Sequence, residues 1–142
     1  MRSTTKALAL LLALPIALTA CEKDKENAEK ASKKACGSEF SGTPSKAIPS
    51  DVPGPSDRAV YDYNSQGKTE QWFATTAGTR DDIVKVRDDL SNQLKGAGYE
   101  IEGSDQEKGI EAEAEFKGPH KGTIQISVAC EGKLRIRYRL ES

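Results

Sequence analysis

Alternating carboxylates are the clearest candidate for chemistry in the sequence. Glu111, Glu113 and Glu115 occupy every second position of one segment, and alternate residues of a β-strand lie on the same face. Such a row could hold a divalent cation or supply the paired carboxylates of a glycosidase. No Asp-rich calcium loop accompanies it, and matching arginines follow in the sequence. A balanced, soluble sheet surface is therefore the favoured interpretation.

A second alternating row is basic. Lys133, Arg135, Arg137 and Arg139 lie near the C-terminus, and the forked donors of arginine could bind an anionic polymer or a lipid headgroup. The same arginines could instead form a ladder of opposite charges with the glutamates, which is the simpler interpretation. We take Arg135, Arg137 and Arg139 as a candidate ligand surface.

Trp72 is the fourth member of that candidate surface. Trp72 and Phe73 are adjacent, so in a strand they face opposite sides and one of them could be exposed at a binding site. Packing beneath the segment around Ile48 and Val52 explains the pair equally well, and core packing is the favoured interpretation. His120 stands in a glycine-flanked loop without a neighbouring Cys or Ser and indicates no catalytic site.

The composition argues against most enzymes. The 142 residues include one His, three Cys and one Met, and the net charge is −1. This leaves little material for a His-rich metal site, a Cys-based zinc site or a histidine triad, and the charge excludes a basic nucleic-acid-binding protein. We expect a protein that is not an enzyme and that carries no cofactor or metal.

Residues 1–20 have the pattern of a secretory signal peptide. Arg2 and Lys6 supply a positive start, and Ala7–Ala20 contain no charged residue. An apolar run of this length is too short to span a bilayer core, which needs about 20 residues. The segment therefore predicts export rather than a membrane-spanning helix.

The sequence Leu-Thr-Ala-Cys at Leu18–Cys21 resembles the lipobox of bacterial lipoproteins. This resemblance implies that Cys21 receives a diacylglycerol and a fatty acid such as palmitate, and that it becomes the mature N-terminus. Two or more acyl chains make a lasting anchor. The resemblance therefore implies anchoring in the cell membrane or the outer membrane, facing the extracytoplasmic side, and Glu22 implies the outer membrane if the source has two membranes.

Export also bears on the other two cysteines. If Cys21 is acylated, only Cys36 and Cys130 remain, and an oxidising compartment then allows a single intramolecular pairing. We expect this disulfide, with a free thiol or an intermolecular bridge as the alternatives.

The mature chain divides into three parts. Residues 21–35 are dense in charge and contain, beyond Cys21, only alanine as apolar residues, so they predict a solvated tether. Pairs at the i,i+4 spacing, Glu26–Lys30 and Glu29–Lys33, allow transient helix there. Residues 36–57 are rich in Pro, Gly and Ser and predict an irregular lead-in. Residues 58–142 form the folded domain.

Hydrophobic patterning of the domain predicts an α+β fold. Arg58–Asn64 and Glu70–Thr76 form an N-terminal hairpin, and Arg80–Lys95 form one amphipathic helix that begins with a capping box at Thr79–Asp82. After a short strand at Tyr99–Glu102, strict alternation predicts a three-stranded antiparallel meander with the helix on its apolar side. The apolar positions of the helix are Ile83, Val86, Leu90, Leu94 and Ala97.

The loops predict the register of this meander. A five-residue loop at 118–122 places Phe116 opposite Ile124. A three-residue loop with a bulge at Gly132 places Cys130 opposite Leu134, at one end of the apolar face. The rows predicted on the solvent face are Glu115/Gln125/Arg139, Glu113/Ser127/Arg137 and Glu111/Ala129/Arg135.

Together these features favour a monomeric, lipid-anchored, non-catalytic module that binds an envelope protein or an anionic polymer. The segment Ile48–Pro53, with the elements that follow it, resembles small exported bacterial domains of unassigned function. An inhibitor of a secreted hydrolase such as a lysozyme is the alternative, and an enzyme that uses the surface carboxylates is a third hypothesis.

Overall fold

A computed structural model describes the backbone of residues 19–141 and the side chains of residues 22–141. These residues form an α+β fold in which two α-helices accompany one six-stranded antiparallel sheet. The patterning predicts one helix in the folded domain and only transient helix in residues 21–35. The elements are α1 (Thr19–Lys33), β1 (Ala59–Gln66), β2 (Thr69–Ala77), α2 (Ile83–Gly96), β3 (Glu100–Glu107), β4 (Glu111–Lys117), β5 (Lys121–Cys130) and β6 (Lys133–Glu141).

The strand order is β1-β2-β6-β5-β4-β3. Helix α2 carries the chain from β2 across the sheet to the far edge at β3. From there β3–β6 return as a meander until β6 pairs with β2. The strands β1 and β2 form a hairpin whose turn is Gly67–Lys68, within the interval 65–69 that the sequence left between the two predicted strands. Gly67 has φ of 62°, the left-handed conformation that such a two-residue turn needs.

Helix α2 covers β3, β4 and β5 on one face of the sheet, which we call the inner face. Its residues Ile83, Leu90 and Leu94 are each 1% exposed. Arg87 is also buried and ties the helix to the edge strand, because its Nη1 donates to the Asp105 carbonyl at 3.0 Å. Ala97, which the periodicity placed on the apolar face, lies beyond the helix end and is exposed.

The lead-in is a second cover on the inner face, over β2 and β6. Val52 is 1% exposed and belongs to the core. Trp72 is 0% exposed, and its Nε1 donates to the Lys46 carbonyl at 2.9 Å. Trp72 is therefore a core residue, which confirms the favoured interpretation and removes Trp72 from the candidate ligand surface. Phe73, its neighbour, faces the opposite side of the sheet, the outer face.

The register between β4 and β5 differs from the predicted one by two residues. The loop has three residues, 118–120, so that Phe116 pairs with Gly122 and Ala114 with Ile124. Gly122 lies in the strand, at a position where no side chain fits. A Cβ there would lie 2.0 Å from the Arg139 carbonyl oxygen. A glycine that the strand requires was thus assigned to the loop.

The turn between β5 and β6 also differs from the prediction. It has two residues, Glu131–Gly132, and Cys130 pairs with Lys133 rather than with Leu134. The bulge lies in β5, between Val128 and Cys130, so Cys130 shares the outer face with Lys133 instead of ending the apolar face. The two register errors cancel between β4 and β6, so Glu115 and Arg139 share a row as predicted.

The segment predicted as a solvated tether, in which the charge pairs allow transient helix, supplies the greater part of α1, and most of its residues are exposed. The predicted pairs form, with Lys30 Nζ 2.6 Å from a Glu26 carboxylate oxygen and Lys33 Nζ 2.8 Å from one of Glu29. Half-buried alanines in α1, at positions 28 and 31, give it a small contact with β5. The predictions for residues 1–18 and for the Cys21 side chain lie outside the described residues. No helix in the described part of the chain is long and apolar enough to cross a membrane.

The Cys36–Cys130 disulfide is present, as expected, with 5.2 Å between the Cα atoms. It joins the segment after α1 to the outer face at the end of β5. A backbone hydrogen bond from Glu131 N to the Lys34 carbonyl, at 2.8 Å, reinforces the junction. The N-terminal segment is thus held against the sheet before the lead-in begins.

Candidate functional site

The outer face carries its charges in stripes that follow the strands. β6 contributes a basic stripe of Lys133, Arg135, Arg137 and Arg139, and β4 an acidic stripe of Glu111, Glu113 and Glu115. β5 lies between them and is uncharged there. Because β5 is shifted by two residues, the rows are Glu115/Thr123/Arg139, Glu113/Gln125/Arg137 and Glu111/Ser127/Arg135.

The two stripes do not neutralise each other by direct contact. They lie two strand spacings apart, about 10 Å, and among the described residues no ion pair joins them. The polar residues of β5 make the nearest contacts instead. Arg135 donates to the Ser127 hydroxyl at 3.3 Å, and Gln125 donates to a Glu111 carboxylate oxygen at 2.6 Å. A ladder of paired charges therefore does not account for these arginines.

Arg137 is the central residue of the basic stripe. It is half-buried, and its Nε is buried without a hydrogen-bond partner among the described residues. A buried donor left unpaired costs about 1–3 kcal/mol. Arg135 and Arg139, on either side of Arg137, are exposed.

An aromatic cluster of Phe40, Tyr61 and Phe73 adjoins the basic stripe. The ring centroids of Phe40 and Tyr61 are 5.3 Å apart, and those of Tyr61 and Phe73 are 6.4 Å apart. All three residues are half-buried, and burial raises the pKa of Tyr61. Phe73 pairs directly with Arg137 on the neighbouring strand. The cluster therefore forms one border of the arginine stripe.

Phe40 and Tyr61 lie at the site although nothing in the sequence pattern places them there. An irregularity in β1 between Val60 and Asp62 breaks the alternation of faces and brings Tyr61 beside Phe73. Phe40 reaches the same place only because the disulfide holds the preceding segment on the outer face. The only sequence feature that indicated an aromatic side chain on this face was the adjacency of Trp72 and Phe73. Trp72 was named as the candidate, but Phe73 is the residue that lies there.

The acidic stripe shows no arrangement for metal binding within residues 22–141. No group of three or more His, Cys, Asp or Glu side chains there is placed to hold a metal ion. Glu111 accepts the hydrogen bond from Gln125 noted above, and Glu113 and Glu115 continue the stripe toward the end of β4.

A cavity of about 1080 Å³ lies away from the basic stripe, between α1, the start of α2 and the β3–β4 turn. Ile83, Val84 and Val128 contribute apolar walls. Arg80 lies in its wall with Nε donating to the Gly109 carbonyl at 2.8 Å. Charged residues of both signs surround the opening, so the cavity shows no preference for a ligand charge.

His120 belongs to a polar cluster that holds the lead-in in place. The Tyr99 hydroxyl donates to a carboxylate oxygen of Asp51 at 2.8 Å, and His120 Nε2 lies 3.3 Å from the same oxygen. The Tyr99 hydrogen bond is the main cause that lowers the pKa of Asp51, while burial raises the pKa of Tyr99 to about 12. Asp51 directly precedes the buried Val52, so the cluster fixes the lead-in over the core.

We expect Asp51→Ala to lower the melting temperature at neutral pH by an amount that shrinks in acid. The pKa of Asp51 is lowered on folding, so its carboxylate stabilises the fold above the ordinary value of 3.8, and this contribution is lost as the pH falls through the lowered value. Thermal unfolding of both proteins from pH 7 to well below 3.8 measures the difference. Glu100→Ala is the control, because Glu100 is exposed and makes no hydrogen bond or ion pair among the described residues. A difference that stays constant into acid would contradict this role.

Comparison with protein-family models, curated proteins and solved structures finds no match to this chain.

Proposed function

We propose that this protein is a lipid-anchored, non-catalytic module of the bacterial cell envelope that binds an anionic envelope component on its outer face. The lipobox resemblance at Leu18–Cys21 supports the anchor and the extracytoplasmic location. The basic stripe supports the ligand. The anchored module is expected to act as a monomer.

One observation carries the ligand assignment. Arg135, Arg137 and Arg139 follow one another along β6 on the outer face, and none of them forms an ion pair with a carboxylate among the described residues. Guanidinium groups bind carboxylates and phosphates through two parallel hydrogen bonds. Alternate residues of a strand are about 7 Å apart, so the stripe offers several such sites in a line. A linear anion could engage more than one of them.

A cross-linked pull-down from native membranes tests the proposal. We expect Arg137→Gln to reduce recovery of the bound component about tenfold or more, because a hydrogen bond to a charged group contributes about 1.5–3 kcal/mol. Lys95→Gln removes the same charge from α2, on the opposite side of the sheet, and should leave recovery unchanged. Equal recovery with both variants would contradict the proposal. Recovery of a single hydrolase that is insensitive to Arg137→Gln would favour the inhibitor alternative instead.

A further inference from the structure

Resting on the proposed function, we propose that the anionic ligand is an acidic polysaccharide, bound along β6. Its sugar rings would contact the aromatic cluster, and its carboxylate, sulfate or phosphate groups would contact the arginines. Two features of the outer face, on different strands, support this assignment independently of the arginines themselves.

The first feature is the aromatic cluster. Phe73 and Arg137 form a cross-strand pair, so a ring face and a guanidinium lie within the reach of one repeating unit of a ligand. The apolar faces of sugar rings stack on aromatic side chains, which a bare polyanion does not require. Tyr61 and Phe40 extend this surface away from Arg137 toward the β1 edge of the sheet.

The second feature is the uncharged polar residues that flank the basic stripe on both sides. Gln71 faces outward on β2, and on β5 the residues opposite the arginines are Thr123, Gln125 and Ser127. Their hydroxyl and amide groups both donate and accept hydrogen bonds, as sugar hydroxyls do. A glycan would use the aromatic, cationic and polar bands together, whereas a polyanion without sugars would use only the cationic band.

The acidic stripe sets the direction of the ligand. Glu111, Glu113 and Glu115 lie about 10 Å from the arginines and repel an anionic chain that would cross the sheet toward β4. A chain running along β6 keeps its charges on the arginines and its uncharged ring faces toward Phe73. The carboxylates thus border the site rather than contribute to binding.

Binding of defined polymers to the mature full-length protein in detergent tests this inference. The probes are polygalacturonate, an acidic polysaccharide, dextran, a neutral one, and polyphosphate, a polyanion without sugar. We expect polygalacturonate to bind, dextran not to bind, and polyphosphate to bind about tenfold more weakly at equal charge concentration. Phe73→Leu keeps apolar bulk but removes the ring. It should lower the affinity for polygalacturonate about tenfold and leave the affinity for polyphosphate unchanged.

The variants separate this inference from the proposed function. Arg137→Gln should lower the affinity for both polygalacturonate and polyphosphate. Lys95→Gln should change neither affinity. Tyr61→Leu is a second ring deletion should Phe73→Leu fail to fold. Equal affinity for the two acidic probes, with no effect of either ring deletion, would overturn the glycan assignment and leave the anionic site standing. If neither polygalacturonate nor polyphosphate bound, or if Arg137→Gln changed the affinity for neither, the glycan assignment and the proposed function would both be overturned.

Discussion

Replacing Trp72 by alanine should lower the free energy of unfolding by about 3–5 kcal/mol, the cost of removing a large aromatic side chain from a packed core. Trp72 is 0% exposed and packs against Tyr63, with 5.2 Å between the ring centroids. The variant also removes the hydrogen bond from Nε1 to the Lys46 carbonyl, which holds the lead-in on the inner face. For a domain of this size we expect the melting temperature to fall by about 15 °C or more.

Thermal or denaturant unfolding of Trp72→Ala measures this effect, with Trp72→Phe as the control. Phenylalanine keeps a ring in the site but cannot donate to the Lys46 carbonyl. Trp72→Phe should therefore lower the free energy of unfolding by less than Trp72→Ala does, but by more than the hydrogen bond alone contributes, about 0.5–1.5 kcal/mol. If Trp72→Ala unfolded like the wild type but lost ligand binding, Trp72 would be an exposed binding residue, contrary to the structure.

Replacing Cys36 by alanine should lower the free energy of unfolding by about 2–5 kcal/mol. The disulfide joins residues 94 positions apart, and a loop of that length gives the cross-link a large effect on the entropy of the unfolded chain in the loop-closure account. Without it, α1 is held in place by the small contacts of Ala28 and Ala31 with β5 and by the backbone hydrogen bond from Glu131 N to the Lys34 carbonyl.

The melting temperature of Cys36→Ala should therefore fall by about 10 °C or more. Wild-type protein unfolded in excess reductant provides the matched comparison and should melt close to the variant. Equal melting of oxidised wild type and Cys36→Ala would mean that the disulfide does not stabilise the fold.

The fold class was accessible to sequence reasoning because binary patterning is strong in β4, β5 and β6. The register of β5 was not, and the reason lies in two glycines. Gly122 was assigned to a loop although the strand needs a residue without a side chain there, where a Cβ would meet the Arg139 backbone. The loop at Gly132 was predicted to have three residues, but it has two, and the extra residue lies in β5 as a bulge between Val128 and Cys130. Close backbone approaches and bulges depend on neighbouring strands, which local pattern does not specify.

The candidate site was partly accessible from the sequence. The alternation of Arg135, Arg137 and Arg139 placed them correctly on one face. Their lack of carboxylate partners depends on the uncharged strand between the stripes, and the aromatic cluster depends on the irregularity at Tyr61 and on the disulfide. These are tertiary features. The adjacency of Trp72 and Phe73 showed that they face opposite sides but not which side the lead-in covers.

The measurement that tests the central claim most directly is mapping of the ligand contact on the isotopically labelled mature protein by amide chemical shifts during titration with polygalacturonate. Our account predicts that the shifts concentrate at 135–139 in β6 and at the paired positions Phe73 and Gln125, and that they vanish at high salt because charge contacts are screened. Shifts that cluster around the cavity at Arg80, or the absence of shifts in β6, would contradict the assignment of the outer face as the binding site.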